Sequence, residues 1–268
     1  MPEISIIIPF KNTEQFFMEC LKSVQKQEYD NFEAILINDH STDSSLEIAE
    51  SMAIKDPRFI VLSNMGDGII PALQTGYSKT KGTYITRMDS DDIMSTHKLS
   101  DMHAQLKKNG EGYLAVGLVK YFSSKPLGDG FQKYETWLNK LSLTGSNFDE
   151  IYKECVIPSP CWMAHRSDFD RIGGFNSTLY PEDYDLAFRF YKHGLKVIPS
   201  SETLHHWRDY ASRTSRTHPH YSDNGFLDIK TKYFIELDYI PAKQLILWGA
   251  GKKGKKIAKS MELNSMLL

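Results

Sequence analysis

The sequence predicts an α/β protein with a mostly parallel central sheet and helices on both faces. Three observations carry this reading. Short, continuous apolar runs suited to strands buried on both faces alternate with stretches of helical periodicity. Four successive strand ends are polar, as expected where such a sheet holds a ligand. The 268 residues, 41% hydrophobic and 25% charged, are enough to bury a substantial core.

The elements follow in order. Residues 4 to 8, ISIII, make a strand ended by Pro9, and Phe16, Phe17, Cys20, Leu21 and Val24 fall at helical spacing. FEAILI gives a second strand, Asp43 can cap a helix carrying Leu46, Ala49 and Ala53, and RFIVLS gives a third strand. Residues 69 to 80 read as a helix whose start is set by Pro71, followed by the strand TYITRM. Ser95 or Thr96 can cap a helix with Leu99, Met102 and Leu106 on one side, stopped by the Asn109-Gly110 pair. YLAVGLVKYF, residues 113 to 122, reads as one strand, and the aromatic-rich residues 123 to 155 carry no assignment. A strand at 161 to 165, a turn at IGGF, a helix from PEDYD and strands near 195 to 199 and 203 to 207 complete the body, with 208 to 225 a polar, mobile loop.

The balance of 32 basic and 34 acidic side chains, net −2, gives no general attraction to nucleic acid or to an anionic membrane. Cys20, Cys155 and Cys161 stand in no metal-ligand or disulfide spacing, which favours a reducing compartment. No signal peptide or membrane-spanning run is legible, so the expected location is cytoplasmic, with a peripheral place at the inner face of the membrane left open.

The chemistry concentrates in YITRMDSDDIM. Three aspartates in four positions, Asp89, Asp91 and Asp92, raise one another's cost of ionisation and call for a cation or hydrogen-bond donors. Side chains two apart in an extended segment share a side, so Asp89 and Asp91 can grip one hard ion, Mn²⁺ or Mg²⁺. The other polar strand ends are PFKN, NDHSTD and NMGDG.

ISIIIPFKN, AILINDHSTDSS, ALQTGYSKTKGTYITRMDSDD and GGFNSTLYPEDYDLAFRF, in that order, resemble the motifs of the family 2 inverting glycosyltransferases over about residues 2 to 210. The resemblance implies a GT-A fold, with a Rossmann-like nucleotide-binding half and an acceptor-binding half. It also implies transfer of a sugar from a nucleotide-diphosphate sugar, commonly a UDP-sugar, to a hydroxyl of a glycan or lipid-linked acceptor, with a divalent metal. Carried onto this chain, Pro9, Phe10 and Asn12 border the nucleoside, Asp39 bonds uracil or ribose, and Gly68 (with Gly66) lets backbone approach. Asp89 and Ser90 lie on the nucleotide, Asp91 and Asp89 on the metal with His206 (or its neighbour His205) near them. Glu182 and Asp183 form the acidic pair that supplies the base, Asp183 foremost. Trp207, Arg208, Arg213 and Arg216 are candidates to close over the donor. A nucleotidyltransferase and a sugar-nucleotide-binding protein without turnover are the alternatives, and a homo-oligomer is left open.

QLILWGAGKKGKKIAKSMEL differs in character: an apolar strand, then Gly249, Gly251 and Gly254 in GxGxxG spacing, then a basic helix. The expected division is residues 1 to 225 as the glycosyltransferase domain and 226 to 243 as a connecting helix or linker. Residues 244 to 268 are either the start of a truncated Rossmann-like domain or a packed extension.

Overall fold

The computed structural model describes residues 1 to 211, 213, 223 to 249 and 251 to 265. The chain runs β1 (Ile4–Phe10), α1 (Glu14–Gln25), β2 (Phe32–Asn38), α2 (Ser45–Lys55), β3 (Phe59–Ser63), α3 (Ile69–Tyr77), β4 (Tyr84–Arg87), β5 (Ile93–Met94), α4 (Lys98–Asn109), β6 (Tyr113–Val116), β7 (Leu118–Phe122) and α5 (Asp129–Thr144). It continues through β8 (Trp162–His165), α6 (Arg166–Arg171), α7 (Glu182–Lys192), β9 (Lys196–Ile198), β10 (Thr203–Arg208), α8 (Asp223–Tyr233) and α9 (Lys252–Ser265).

Seven strands form the main sheet in the order β3-β2-β1-β4-β8-β6-β9. All neighbours are parallel except where β8 runs against β4 and β6. Both faces are covered. Ile4, Ile6 and Ile8 of β1 pack with Phe17, Leu21 and Val24 of α1 on one side, and Ile7 packs with Leu73 of α3 and Phe188 of α7 on the other. These β1 isoleucines are fully buried, and each contributes about 1.5–3 kcal/mol by leaving water. Parallel strands put β1 to β4 ends on one rim, which is what brings their polar residues together.

The loops after β1 and β2 are bonded to each other. Asn12 adopts φ 51°, donates its N–H to Ser41 Oγ (3.2 Å) and accepts from Thr42 N (2.8 Å). Asp43 accepts from Ser45 N at 3.0 Å, as its expected capping role requires, and also from Glu14 N of the neighbouring helix at 3.1 Å. Glu14 in turn accepts from Ser44 N at 2.9 Å. Acidic residues thus sit at the N-termini of α1 and α2 together, where the helix dipole favours them.

Three expectations need correction. The run 113 to 122 is two strands in two sheets: β6 stays in the main sheet, while β7 joins β5 and β10 in a three-stranded sheet ordered β5-β10-β7. The break is Gly117, where a Cβ would lie 2.6 Å from the Leu204 side chain. Neither Ser95 nor Thr96 caps α4, since Ser95 Oγ donates to Thr203 O (2.7 Å) and Thr96 Oγ1 to Glu28 Oε1 (3.1 Å). Gln27 reaches in from the loop after α1 instead, its Oε1 accepting from Leu99 N at 3.0 Å. Residues 244 to 248 form no strand, having no neighbour among the described residues to share a ladder.

Residues 226 to 238 continue as α8 and a π-helical turn, Phe234–Asp238. Ile229, Tyr233 and Ile235 are buried. Tyr233 stacks on Phe188 at 4.5 Å between centroids and donates to Asp185 Oδ1 at 2.7 Å. The expected loop at 208 to 225 falls largely outside the described residues, as does Arg216.

Candidate active site

At the rim, β2 ends in Asn38 and Asp39. Asp39 Oδ1 accepts from Asn64 Nδ2 (2.6 Å) and Gly68 N (3.0 Å), and Oδ2 pairs with Lys11 Nζ at 3.1 Å. Burial opposes its ionisation, but these donors outweigh it and hold the carboxyl below its ordinary range. Gly68 sits at φ 89°, a conformation glycine adopts freely. One carboxylate therefore organises the ends of three segments.

Beyond β4, each aspartate has a different environment. Asp89 Oδ1 accepts from Arg87 Nη2 at 2.8 Å; burial raises its pKa, the Arg87 charge more than compensates, and the net shift is downward. Asp91 is buried, with Oδ2 accepting from Tyr210 Oη at 2.8 Å. Burial, then Asp92, push Asp91 up to about 7, against the pull of Arg213. Asp92 is fully buried, bonded to Arg208 N (2.7 Å) and to His205 Nε2 (2.9 Å). Burial pushes it up to about 8.

Two buried groups lie beneath the aspartates, one a cation and one a neutral imidazole. Lys98, the first residue of α4, is fully buried with Nζ on Pro160 O, its pKa lowered by burial although Cys161 and Asp92 pull it up. His205 is fully buried and held neutral, its pKa well below the ordinary value through burial and then Lys98. Its Nδ1 has no hydrogen-bond partner. Acidic oxygens short of positive charge are the chemistry that a hard divalent ion such as Mn²⁺ or Mg²⁺ takes, although no three ligand atoms of Asp89, Asp91, Asp92 and His205 come within 4.8 Å of one another.

The acidic pair opens α7. Glu182 Oε1 lies 3.3 Å from Arg87 Nη1, so one buried guanidinium joins Asp89 to Glu182. Asp183 is only partly buried and its Oδ1 accepts from Tyr184 N at 2.8 Å. Burial first, and then Glu182, push Asp183 up to about 7. A carboxyl poised there, open to a ligand, suits general-base work near neutral pH.

The residues expected from sequence divide as follows. Asp39, Gly68 and Asn12 lie on the bonded loops of the rim, and Pro9 is buried in β1. Phe10 turns into the core, its ring 4.6 Å from that of Phe17. Ser90 is buried between Asp89 and Asp91. His206 points away from its neighbour's partner, with Nε2 3.4 Å from Ser95 Oγ, and His205 is the histidine bonded to Asp92. Trp207 stacks on Tyr121 at 5.1 Å, while Arg208 lies between the rings of Phe16 and Phe122 and pairs with Glu19 at 2.6 Å, so both serve the framework. Sequence reasoning missed Arg87, Lys98 and Tyr210. Arg87 alone had a signal, as a charge inside an otherwise apolar strand. Separately, ligand atoms of Asp39, His40 and Asp67 lie within 4.8 Å of one another, and His40 Nε2 also bonds Gly66 O at 2.9 Å.

The model of glycosyl transferase family 2 matches residues 5 to 173, more than half of the chain. The chain belongs to glycosyl transferase family 2. It is 39% identical to glycosyltransferase GlyG of Streptococcus pneumoniae over 222 residues, 80% of this chain and 73% of that protein. It is 34% identical to the uncharacterized glycosyltransferase EpsJ of Bacillus subtilis over 125 residues, 47% of this chain and only 36% of that one. Among solved structures, S. aureus TarS 1-349 in complex with UDP-GlcNAc superposes with TM-score 0.68 at 18% identity, covering 99% of this chain and 72% of that one. The mannosyltransferase PcManGT of Pyrobaculum calidifontis, in complex with GDP-Man and Mn²⁺, gives 0.60 at 15% identity, covering 97% and 68%. The family 2 chain has the GT-A fold, and as a glycosyltransferase it is an enzyme of group transfer.

Proposed function

We propose that the protein transfers a sugar from a UDP-sugar to a hydroxyl of a glycan or lipid-linked acceptor, with inversion, in the making of a cell-surface polysaccharide or glycan. The observation that carries this reading is the Asp183 carboxyl, partly open, raised to about 7 and tied through Glu182 and Arg87 to Asp89. Asp183 accepts the acceptor proton while the acceptor oxygen bonds the anomeric carbon. The bond from that carbon to the diphosphate breaks in the same step, its electron pair leaving on the nucleoside diphosphate. Glu182, paired with Arg87, stays out of proton transfer.

Asp91, with Asp89, would hold Mn²⁺ or Mg²⁺, whose charge would neutralise the leaving diphosphate. Asp39 is set as an ionised acceptor for an N–H such as the imide of uracil, and UDP-GlcNAc and UDP are the ligands named for the TarS structures. The site lies within residues 1 to 225; residues 226 to 243 brace it and 244 to 268 form an extension that contributes nothing to it.

The test incubates the protein with UDP-, GDP- and dTDP-sugars, Mn²⁺ and candidate acceptors, and measures nucleoside diphosphate release and the anomeric configuration of the product. UDP release with inverted configuration is expected. Retention, or release of pyrophosphate, would sink the proposal, and binding without turnover would leave a sugar-nucleotide-binding protein.

A further inference from the structure

Two features outside the site lie together at the C-terminal end of the described chain. The first is the run Leu245, Ile246, Leu247 and Trp248, exposed at 46%, 72%, 43% and 96%. Four consecutive large apolar side chains in water are unusual on a folded surface and mark an interaction site. The second is α9 (Lys252–Ser265), which follows at once. It carries Lys252, Lys253, Lys255, Lys256 and Lys259 against Glu262, a net +4 in a chain whose total is −2.

The apolar side of α9 is already used. Ile257 and Met261 are partly buried, and Ser260 Oγ donates to Asp228 Oδ1 of α8 at 3.0 Å. The five lysines all stay exposed. Between α8, α9 and residues 152 to 154 lies a cavity of about 840 Å³. Its rim is Lys153, Lys230, Lys252, Lys253 and Lys256, opposed by Glu154 alone among acidic groups, and its walls include Phe226, Phe234 and Ile257. Burial lowers the pKa of Lys230, with Lys253 adding its repulsion while Glu154 pulls the other way.

We propose that this face docks on an anionic phospholipid bilayer, with Leu245–Trp248 entering the interface and the lysine-rimmed cavity taking lipid phosphate. An apolar run that can enter the acyl boundary beside a cluster of cations is the combination such surfaces retain, neither part sufficing alone. The occupant is chosen by charge: a bilayer of anionic lipid offers phosphate and hydrocarbon together, and Trp248 stands four residues before Lys252, the first of the cavity's α9 lysines. The rest of the chain holds 27 basic and 33 acidic side chains, net −6, so the positive field is local to this surface.

The experiment is vesicle co-sedimentation of the full chain, with tryptophan emission followed in parallel. Phosphatidylcholine vesicles containing one third phosphatidylglycerol are compared with pure phosphatidylcholine. Trp162 and Trp207 are buried, Trp137 is partly buried beneath Lys153 and Trp248 is exposed, so the part of a blue shift that disappears in Trp248→Ser reports Trp248. Expected are binding to the anionic vesicles only, a blue shift lost in Trp248→Ser, and roughly fivefold weaker partition for each lysine of the pair Lys253→Ala and Lys256→Ala. Both variants alter exposed side chains, and their unfolding midpoints should match the parent. Equal binding to both vesicle types, or binding indifferent to the lysine changes, overturns the proposal. So does protection of Trp248 by a concentration-dependent dimer without lipid. Inositol hexaphosphate binding as tightly as vesicles, with no Trp248 shift, would make this a site for soluble phosphate and overturn it as well.

Discussion

Arg87 Nη1 sits 3.3 Å from Glu182 Oε1, although 95 residues separate them in the chain. The same guanidinium donates to Asp89, so the end of β4 and the start of α7 are held by one buried cation.

Replacing Arg87 by Ala leaves Asp89 and Glu182 without their countercharge. Removing one partner of a buried pair costs about 3–5 kcal/mol. Urea denaturation should show that loss as a lower midpoint with unchanged slope; a change under 1 kcal/mol, roughly the worth of a surface pair, would deny the bridge its role.

Asp183→Asn should lower kcat by about 10² to 10⁴, because an amide cannot accept the acceptor proton. Donor affinity, measured by calorimetry with UDP, should stay nearly as in the parent. Loss of UDP binding as large as the loss of rate would assign Asp183 to the donor instead.

The pH profile follows from the same group. The base works unprotonated, and Asp183 is raised to about 7, so kcat/KM should climb by about tenfold per pH unit below that value and level off above it. Glu182 is the second cause of the raised value. Glu182→Gln should therefore move the midpoint to lower pH, and a midpoint moving upward would contradict the assignment.

UDP should raise the melting temperature more with Mn²⁺ than with chelator. At a ligand concentration about 100 times Kd the gain corresponds to about 2.7 kcal/mol. Asp91→Asn should erase most of the difference between the two conditions. An undiminished metal effect in that variant would place the ion elsewhere.

Deleting residues 244 to 268 should leave this UDP-dependent shift intact, since the proposed site lies wholly upstream. Failure of the shortened chain to fold would instead make the tail part of the first domain's core.

Much of this was legible in the residues. Continuous apolar runs marked β1 and β2 because strands covered on both faces need no alternation. Polar residues directly after four such runs marked the rim. The break at Gly117 was hidden, because its cause is Leu204, far along the chain and invisible to periodicity. The spacing of Phe131, Tyr134, Leu138 and Leu141 did hold the signal for α5, obscured by the other aromatics around it. Two adjacent histidines in a strand must face opposite ways, but period alone does not say which turns inward. Lys98 carried no signal in the sequence, since only the buried acids above it account for a lysine buried at a helix start.

The linked loops after β1 and β2 bear on how a diphosphate can be received. Many nucleotide-binding sheets seat phosphate on the bare N–H groups at the start of a helix. Here the starts of α1 and α2 are already occupied by Asp43 and Glu14. A pyrophosphate arriving there would meet two anions, not two open dipoles. Under the proposed metal role the countercharge comes from across the rim, from a cation on the aspartates after β4, and free nucleotide would bind weakly to this scaffold without it.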